Sequence, residues 1–388
     1  MTESFLSDQV LVPLLQRLVR HPSEQTELQE EEPGVKAFIT NRAAPELEEL
    51  GLGNGRYDAM GNLILELGPV DAETSILFVT YAMTHQAARM TDPFAATVIE
   101  TPSGAAVRGR GVAEQKSAMA AAFAAVARAQ KDGPRGRIVL TVLSAGETGR
   151  HTAIDSACAA LGRMPDLAVI CLGTDSRIGA ANKGRIDVDI SVAGRAVHSS
   201  VPWAGIDAIE GARCCLNALH QLDLGVADSP VFGAATLTPT QIKSGPTATH
   251  TVQDIVELTF DRRLLPGEDP DAAFAFIRDA LPKNGPWEIE CRRGPFMYPN
   301  QVVDDGRLMT LLRDAYADVG LGDAEKVTCN FALDGGYFGQ CGIEAVMLGP
   351  GEIDQFHSEE EHVQVSDMLD MARVYHALIE RAFGENAK

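Results

Sequence analysis

The sequence has no block of basic residues. Its 33 Lys and Arg are set against 54 Asp and Glu, for a formal net charge of −21. That balance argues against nucleic acid and against an anionic membrane surface as partners. No pair of cysteines is spaced CxxC. The seven cysteines (158, 171, 214, 215, 291, 329 and 341) follow no regular interval, and an odd number in a long chain reads as reduced thiols rather than a disulfide framework. No apolar run approaches membrane-spanning length. The first twenty residues carry Glu3, Asp8, Arg17 and Arg20 among their apolar positions, so the uninterrupted core of a signal peptide is missing. There is no internal repeat and no low-complexity segment. These absences lead to the expectation of a cytoplasmic protein, and 388 residues suggest two domains with a full core.

What is present centres on Val107–Ala120, VRGRGVAEQKSAMA. A glycine turn, Gly109-Arg110-Gly111, precedes Glu114 and Lys116. The alanine-rich run from Ser117 to Ala129 then reads as a helix, because alanine costs least in that state. Glu114 stands where that helix begins, a place where a carboxylate is favoured and can serve as a ligand. Upstream, Val10, Leu11, Leu14, Leu15 and Leu18 have helical spacing, and a further helix is expected within Leu28–Leu52. Short apolar runs at Asn62–Leu67, Ile76–Thr80, Arg137–Leu143 and Leu167–Leu172 read as strands, the last three buried in an α/β sheet. They end in Tyr81-Ala82-Met83-Thr84-His85, Ser144-Ala145-Gly146-Glu147 and Gly173-Thr174-Asp175-Ser176. Ligands of open α/β sheets bind at carboxyl ends of strands, so these loops are candidate site walls.

From Arg185 the pattern alternates strictly: Ile186, Val188, Ile190 and Val192 against Asp187, Asp189 and Ser191. That is a half-solvated antiparallel strand. Helix 206–221, strands 234–243 and 255–263, helix 271–281 and strand 287–292 complete a β-α-β-β-α-β order, that of a ferredoxin-like unit. The reading is an α/β domain of residues 1–184 and 295–388, interrupted by an α+β domain of 185–294. In the returning segment, helices 307–319 and 366–383 flank a strand at 345–348, and His357 lies in an acidic loop.

Landmarks along the chain match, in order, those of the co-catalytic metallopeptidase family of acetylornithine deacetylase, succinyl-diaminopimelate desuccinylase and glutamate carboxypeptidase. They are Asp58-Ala59-Met60-Gly61-Asn62, Asp92-Pro93-Phe94, the Gly-Arg-Gly turn, Glu147-Thr148-Gly149, Gly194 to Ser200, Arg263-Leu264-Leu265-Pro266-Gly267, and Gly349-Pro350-Gly351 followed by His357-Ser358 and Glu361. The sequence resembles that family over nearly its whole length. The resemblance implies a metallopeptidase-type catalytic domain with an inserted lid and dimerisation domain, and hence a homodimer or larger homo-oligomer.

The family's site carries over only in part. Its early histidine and aspartate fall on Tyr81 and Met83. Its bridging aspartate falls on Glu114, and its paired glutamates, general base then ligand, on Gly146 and Glu147. Its next carboxylate falls on Thr174, with Asp175 one place off and read here as a turn or cap residue. Its final histidine is His357. The surviving ligand types, Glu114, Glu147 and His357, belong together on one metal. The expectation is therefore one divalent ion per chain, manganese or zinc foremost. By the same resemblance His198 binds the oxyanion or substrate from the partner subunit, and Arg263 binds a substrate carboxylate through its planar fork. Tyr81 and His85 are candidate replacements in the pocket, a stacking ring and a titrating group.

With no glutamate at position 146, ordinary peptide hydrolysis lacks its proton carrier, which is worth about 10²–10⁴-fold. The expected function is hydrolytic cleavage of a non-peptide C–N bond in a small carboxylate-bearing molecule. Deamination of an aromatic amine such as nitroanthranilic acid is the sharpest form of it, by similarity to nitroanthranilate aminohydrolase within the superfamily. The alternatives are an N-acyl amino acid amidohydrolase or dipeptidase with His198 or His85 as base, and a non-catalytic binding protein with a degenerate site.

Overall fold

A computed structural model describes residues 5–146 and 148–384. In chain order its principal elements are α1 (Asp8–Val19), β1 (Leu63–Leu67), β2 (Ser75–Tyr81), β3 (Thr97–Thr101), β4 (Gly104–Arg108), α2 (Ser117–Asp132), β5 (Arg137–Leu143) and β6 (Leu167–Cys171). Then follow β7 (Gly184–Ala193), α3 (Ala208–His220), β8 (Thr236–Gly245), β9 (Ile255–Leu264), α4 (Pro270–Asp279) and β10 (Glu288–Met297). The chain closes with α5 (Arg307–Val319), β11 (Glu344–Leu348), β12 (His362–Gln364) and α6 (Val365–Phe383). It forms two compact units. The first comprises residues 1–181, 301–327 and 337–388; the second comprises 182–300 together with 328–336. The short segment 328–336 joins the second unit although it follows the return to the first.

Five strands of the first unit's sheet lie side by side in the order β1-β5-β2-β6-β11. β2, β5, β6 and β11 run parallel and β1 runs antiparallel to β5. Every residue of β2, β5 and β6 is buried, as runs such as SILFVTY and RIVLTVL require of strands covered on both faces. The register aligns their ends: Tyr81 is level with Leu143, and Cys171 with Leu348. The loops after β2, β5, β6 and β11 therefore leave one carboxyl edge together. Helix α2 is buried almost all round because it is built largely of alanine, whose small side chains let α1, α6 and the sheet approach closely. A small ribbon, β12-β4-β3, pairs Val363 with Val107 and Val107 with Val98, bringing the C-terminal segment beside the Gly-Arg-Gly turn.

Lys116, at the entry to α2, is wholly buried. Its Nζ donates to the carbonyls of Leu18 and His21, each at 3.1 Å, and lies 4.5 Å from the centre of the Phe38 ring. Burial pulls its ammonium down from an ordinary 10.5 to about 7. Between those values the unfolded chain holds a proton that the folded chain has released. Stability should therefore rise as pH climbs through that window, with the cost of the buried charge fully present below about 7. Lys116→Met is expected to flatten the rise, and urea titrations from about pH 6.5 to 9.5 check it; parallel pH profiles for parent and variant would refute it.

The second unit is an antiparallel sheet of order β8-β9-β7-β10. One face, with Ile186, Val188, Ile190, Val192, Val256, Leu258 and Phe260, packs under α3 and α4 to form its core. The order β7-α3-β8-β9-α4-β10 is the ferredoxin-like one expected. The last strand extends to Met297, five residues past its expected end, with a register shift between Arg293 and Phe296.

Candidate metal and substrate site

Gly111 closes the turn after β4 with φ +77°, and Val112–Lys116 form one wide helical turn that leads into α2. This turn carries Glu114, whose side chain is only 7% exposed. The peptide N–H of Gly173, in the loop after β6, donates to the Glu114 carbonyl at 2.9 Å and ties the two loops together. His357 comes from the loop after β11, at φ +61°, a left-handed conformation uncommon for a residue with a side chain. Its Nε2 stands 3.3 Å from Glu114 Oε1. His85, from the loop after β2, stacks on the His357 ring with centroids 3.9 Å apart and planes 17° from parallel. His85 Nδ1 is 3.1 Å from the Gln86 carbonyl, an acceptor, so Nδ1 is the donor in that contact.

These residues fit a metal ion by their own chemistry. Bonds of about 2.0–2.1 Å at a tetrahedral angle separate two donor atoms by about 3.4 Å, and the Glu114–His357 spacing agrees. A carboxylate with an imidazole suits zinc or manganese. Glu147, the third expected ligand, lies outside the described residues.

Tyr81 ends β2 and is 1% exposed, with Met83 fully buried two residues on. A Cβ placed on Gly146 would lie 3.0 to 3.2 Å from Tyr81 ring and Cβ atoms. Tyr81 and Gly146 thus pack closely, and a side chain at 146 would require the tyrosine to give by a few tenths of an ångström. Thr174 is engaged with the backbone: its hydroxyl donates to the Arg177 carbonyl at 2.6 Å and accepts from the Gly349 N–H at 3.1 Å. Asp175 accepts from the Ile353 N–H at 2.6 Å and pairs with Arg177, so it caps the loop that leads to His357.

In the second unit His198 is exposed. Its Nδ1 accepts from the Ser200 N–H at 3.2 Å and lies 2.8 Å from the Ser200 hydroxyl, so the neutral ring carries its proton on Nε2 as a donor. Arg263 makes a two-point contact with Asp261, at 2.7 and 3.0 Å.

One residue the sequence reading left without a role is Glu361. Its side chain is 1% exposed and paired with Arg110 at 2.8 Å. Burial pushes its carboxyl upward against the opposing pull of the Gly111, Ala113 and Glu114 amides and of Arg110.

Among the described residues, Asp132, His376 and Glu380 have donor atoms all within 4.8 Å of one another. They sit at the opposite end of α2 from Glu114, about 24 Å along a 16-residue helix. Asp132 is engaged there by Arg128 at 2.6 Å. This group stands apart from the Glu114 centre.

Residues 82–381 match the model of peptidase family M20/M25/M40, and the chain belongs to that family of metallohydrolases. It is 26% identical to a probable carboxypeptidase of Aspergillus flavus over 301 residues, covering 74% of this chain and 67% of that one. It is 24% identical to the succinyl-diaminopimelate desuccinylase of Rhodospirillum centenum, over 76% of this chain and 77% of the relative. In fold it matches the M20 metallo-carboxypeptidase Sso-CP2 of Sulfolobus solfataricus with a TM-score of 0.77 at 16% identity, over 96% of this chain and 99% of the other. The chain is thus an enzyme with a mixed α/β fold and the inserted unit of M20 architecture. Among the described residues no helix is long and apolar enough to cross a membrane.

Proposed function

We propose that the protein is a hydrolase holding one divalent ion through Glu114, Glu147 and His357, and that it cleaves a non-peptide C–N bond of a small carboxylate-bearing substrate. The observation that carries this reading is the interlock of Tyr81 with Gly146. By the resemblance, these two positions are where the family's first-metal histidine and its general-base glutamate have no counterpart. A bound divalent ion would polarise the group attacked and bring the pKa of a water towards 7. The chain's own residues supply the rest. Arg263 binds the substrate carboxylate by releasing Asp261. His198 donates from Nε2 to the developing oxyanion. The sharpest substrate is an aromatic amine such as nitroanthranilic acid, with the buried Tyr81 ring packed behind the loop at Gly146. Residues 1–184 with 295–388 act as the catalytic domain and 185–294 as the lid. The protein works as a homodimer or larger homo-oligomer, which the exposed edge strand β8, with Ile242 61% exposed, supports.

A second reading, an N-acyl amino acid amidohydrolase or dipeptidase, is favoured by His85. Its ring lies against His357 and could take a proton in place of the missing glutamate.

Elemental analysis after manganese or zinc loading tests the site. We expect one metal per chain in the parent and none in Glu147→Ala. Two per chain would refute the mononuclear reading. Ammonia release from nitroanthranilate and other aryl amines, compared with release of amino acids from N-acyl amino acids and dipeptides, decides between the substrate readings. Ammonia from none of the aryl amines would remove the first.

A further inference from the structure

We propose that Glu361 is the positioning residue that sets the separation of Glu114 and His357. The inference rests on the reading that those two residues hold the metal ion. Its basis is a clamp of one carboxylate on one turn. Glu361 Oε2 accepts from Arg110 Nη1 at 2.8 Å and from the Gly111 N–H at 2.9 Å. Its Oε1 accepts from the Ala113 N–H at 3.0 Å and from the Glu114 N–H at 3.3 Å. The Glu361 carbonyl accepts from the Gly109 N–H at 3.1 Å. A single residue near the C-terminus thus receives five hydrogen bonds from Gly109–Glu114.

The other end of the clamp is His357, four residues earlier on the same loop. Arg110, held by Glu361, also donates through Nη2 to the His357 carbonyl at 3.5 Å and to the Ala87 carbonyl at 3.3 Å. The loops bearing Glu114, His357 and His85 therefore converge on the buried Arg110–Glu361 pair. Both carboxylate oxygens already accept two hydrogen bonds each, which fills their capacity. Glu361 is accordingly not a ligand. It fixes the ligands, as outer-shell partners of metal sites do, and loss of such a partner typically costs about 10–100-fold in metal affinity.

Glu361→Gln keeps the shape but turns an N–H₂ group toward two of the four donors. We expect its affinity for manganese or zinc, measured by calorimetric titration on folded protein, to fall about 10–100-fold. In a metal-free crystal structure of the variant, the Glu114–His357 spacing should open beyond 3.3 Å. Glu46→Gln is the control. Glu46 is also a fully buried carboxylate, paired with Arg17 at 2.7 Å and Arg42 at 3.0 Å, and it makes no bond to the three loops. It should lose stability yet keep the parent's metal affinity. Should Glu361→Gln not fold, Glu361→Asp retains the charge one methylene short and should still weaken binding. Parent-like affinity in a folded Glu361 variant, or equal loss in the Glu46 control, overturns the inference and leaves the metal site standing. A parent that takes up no metal overturns both.

Discussion

His357→Ala is expected to strip the divalent ion from an otherwise intact protein and to lower turnover at least about 10³-fold. The magnitude follows from the several kcal/mol that a Lewis-acidic ion contributes to a transition state, at about 1.4 kcal/mol per tenfold in rate. The side chain is 41% exposed, so little buried packing is lost with the ring that stacks on His85 and stands 3.3 Å from Glu114. The backbone at φ +61° is already unfavourable for any residue bearing a Cβ. The metal-free variant should consequently unfold within about 1 kcal/mol of the metal-free parent. His357→Gly separates the two effects further, since it removes the ring and relieves the left-handed strain together. Both variants should fail to bind metal, and both should unfold at the same midpoint with and without added metal. A parent-like shift of that midpoint by metal in either variant would exclude His357 as a ligand.

Gly351→Ala is expected to be the most damaging single methyl in the first unit. A Cβ at this glycine would lie 1.8 Å from the Ala113 carbonyl oxygen, a backbone atom that cannot rotate away. Gly173 crowds the same oxygen from another side, at 2.4 Å from its own Cβ position. The loops after β6 and β11 thus touch the Glu114 turn directly, backbone on backbone, where no side chain fits. Overpacking of this kind typically costs about 1–3 kcal/mol and more when the obstacle is fixed. Relief would have to come from moving Ala113, and Glu114 moves with its neighbour. Denaturant titration should therefore show a loss of at least about 3 kcal/mol, accompanied by weakened metal binding in whatever fraction folds. Parent-like stability would mean that the two loops do not make this contact.

Much of this architecture was legible in the residues. Runs such as SILFVTY and RIVLTVL can be little else than strands covered on both faces, and the alternation from Arg185 marks a sheet with one wet face. What escaped was set by distant partners. Thr97–Thr101 carries no strong pattern because it is half-solvated and belongs to a ribbon completed by residues 362–364. Glu361 stands in a stretch with Glu359 and Glu360 that reads as solvated, and only the fold shows that the third of these acids is buried on an arginine. Tyr81 and Gly146 each look like a lost functional residue. Their meaning as one packing unit depends on two parallel strands lying in register. Arg263 reads as an open fork, whereas the pleat places Asp261 on the same face two residues away, and the two close on each other.

The ribbon that joins β4 to β12 also bears on how the enzyme is made. Residues 182–300 of the second unit leave the ribosome as one contiguous stretch. The first unit waits for β11, β12 and α6, which follow that stretch in the chain. Glu114 and His357 are 243 residues apart, so a nascent chain that has not reached residue 357 cannot bring the two side chains together. Such long-range closure is slow and comes late in folding. The Glu114–His357 pair therefore forms only after the whole of the second unit has been synthesised, and on the proposed reading that this pair holds the ion, metal uptake is deferred with it.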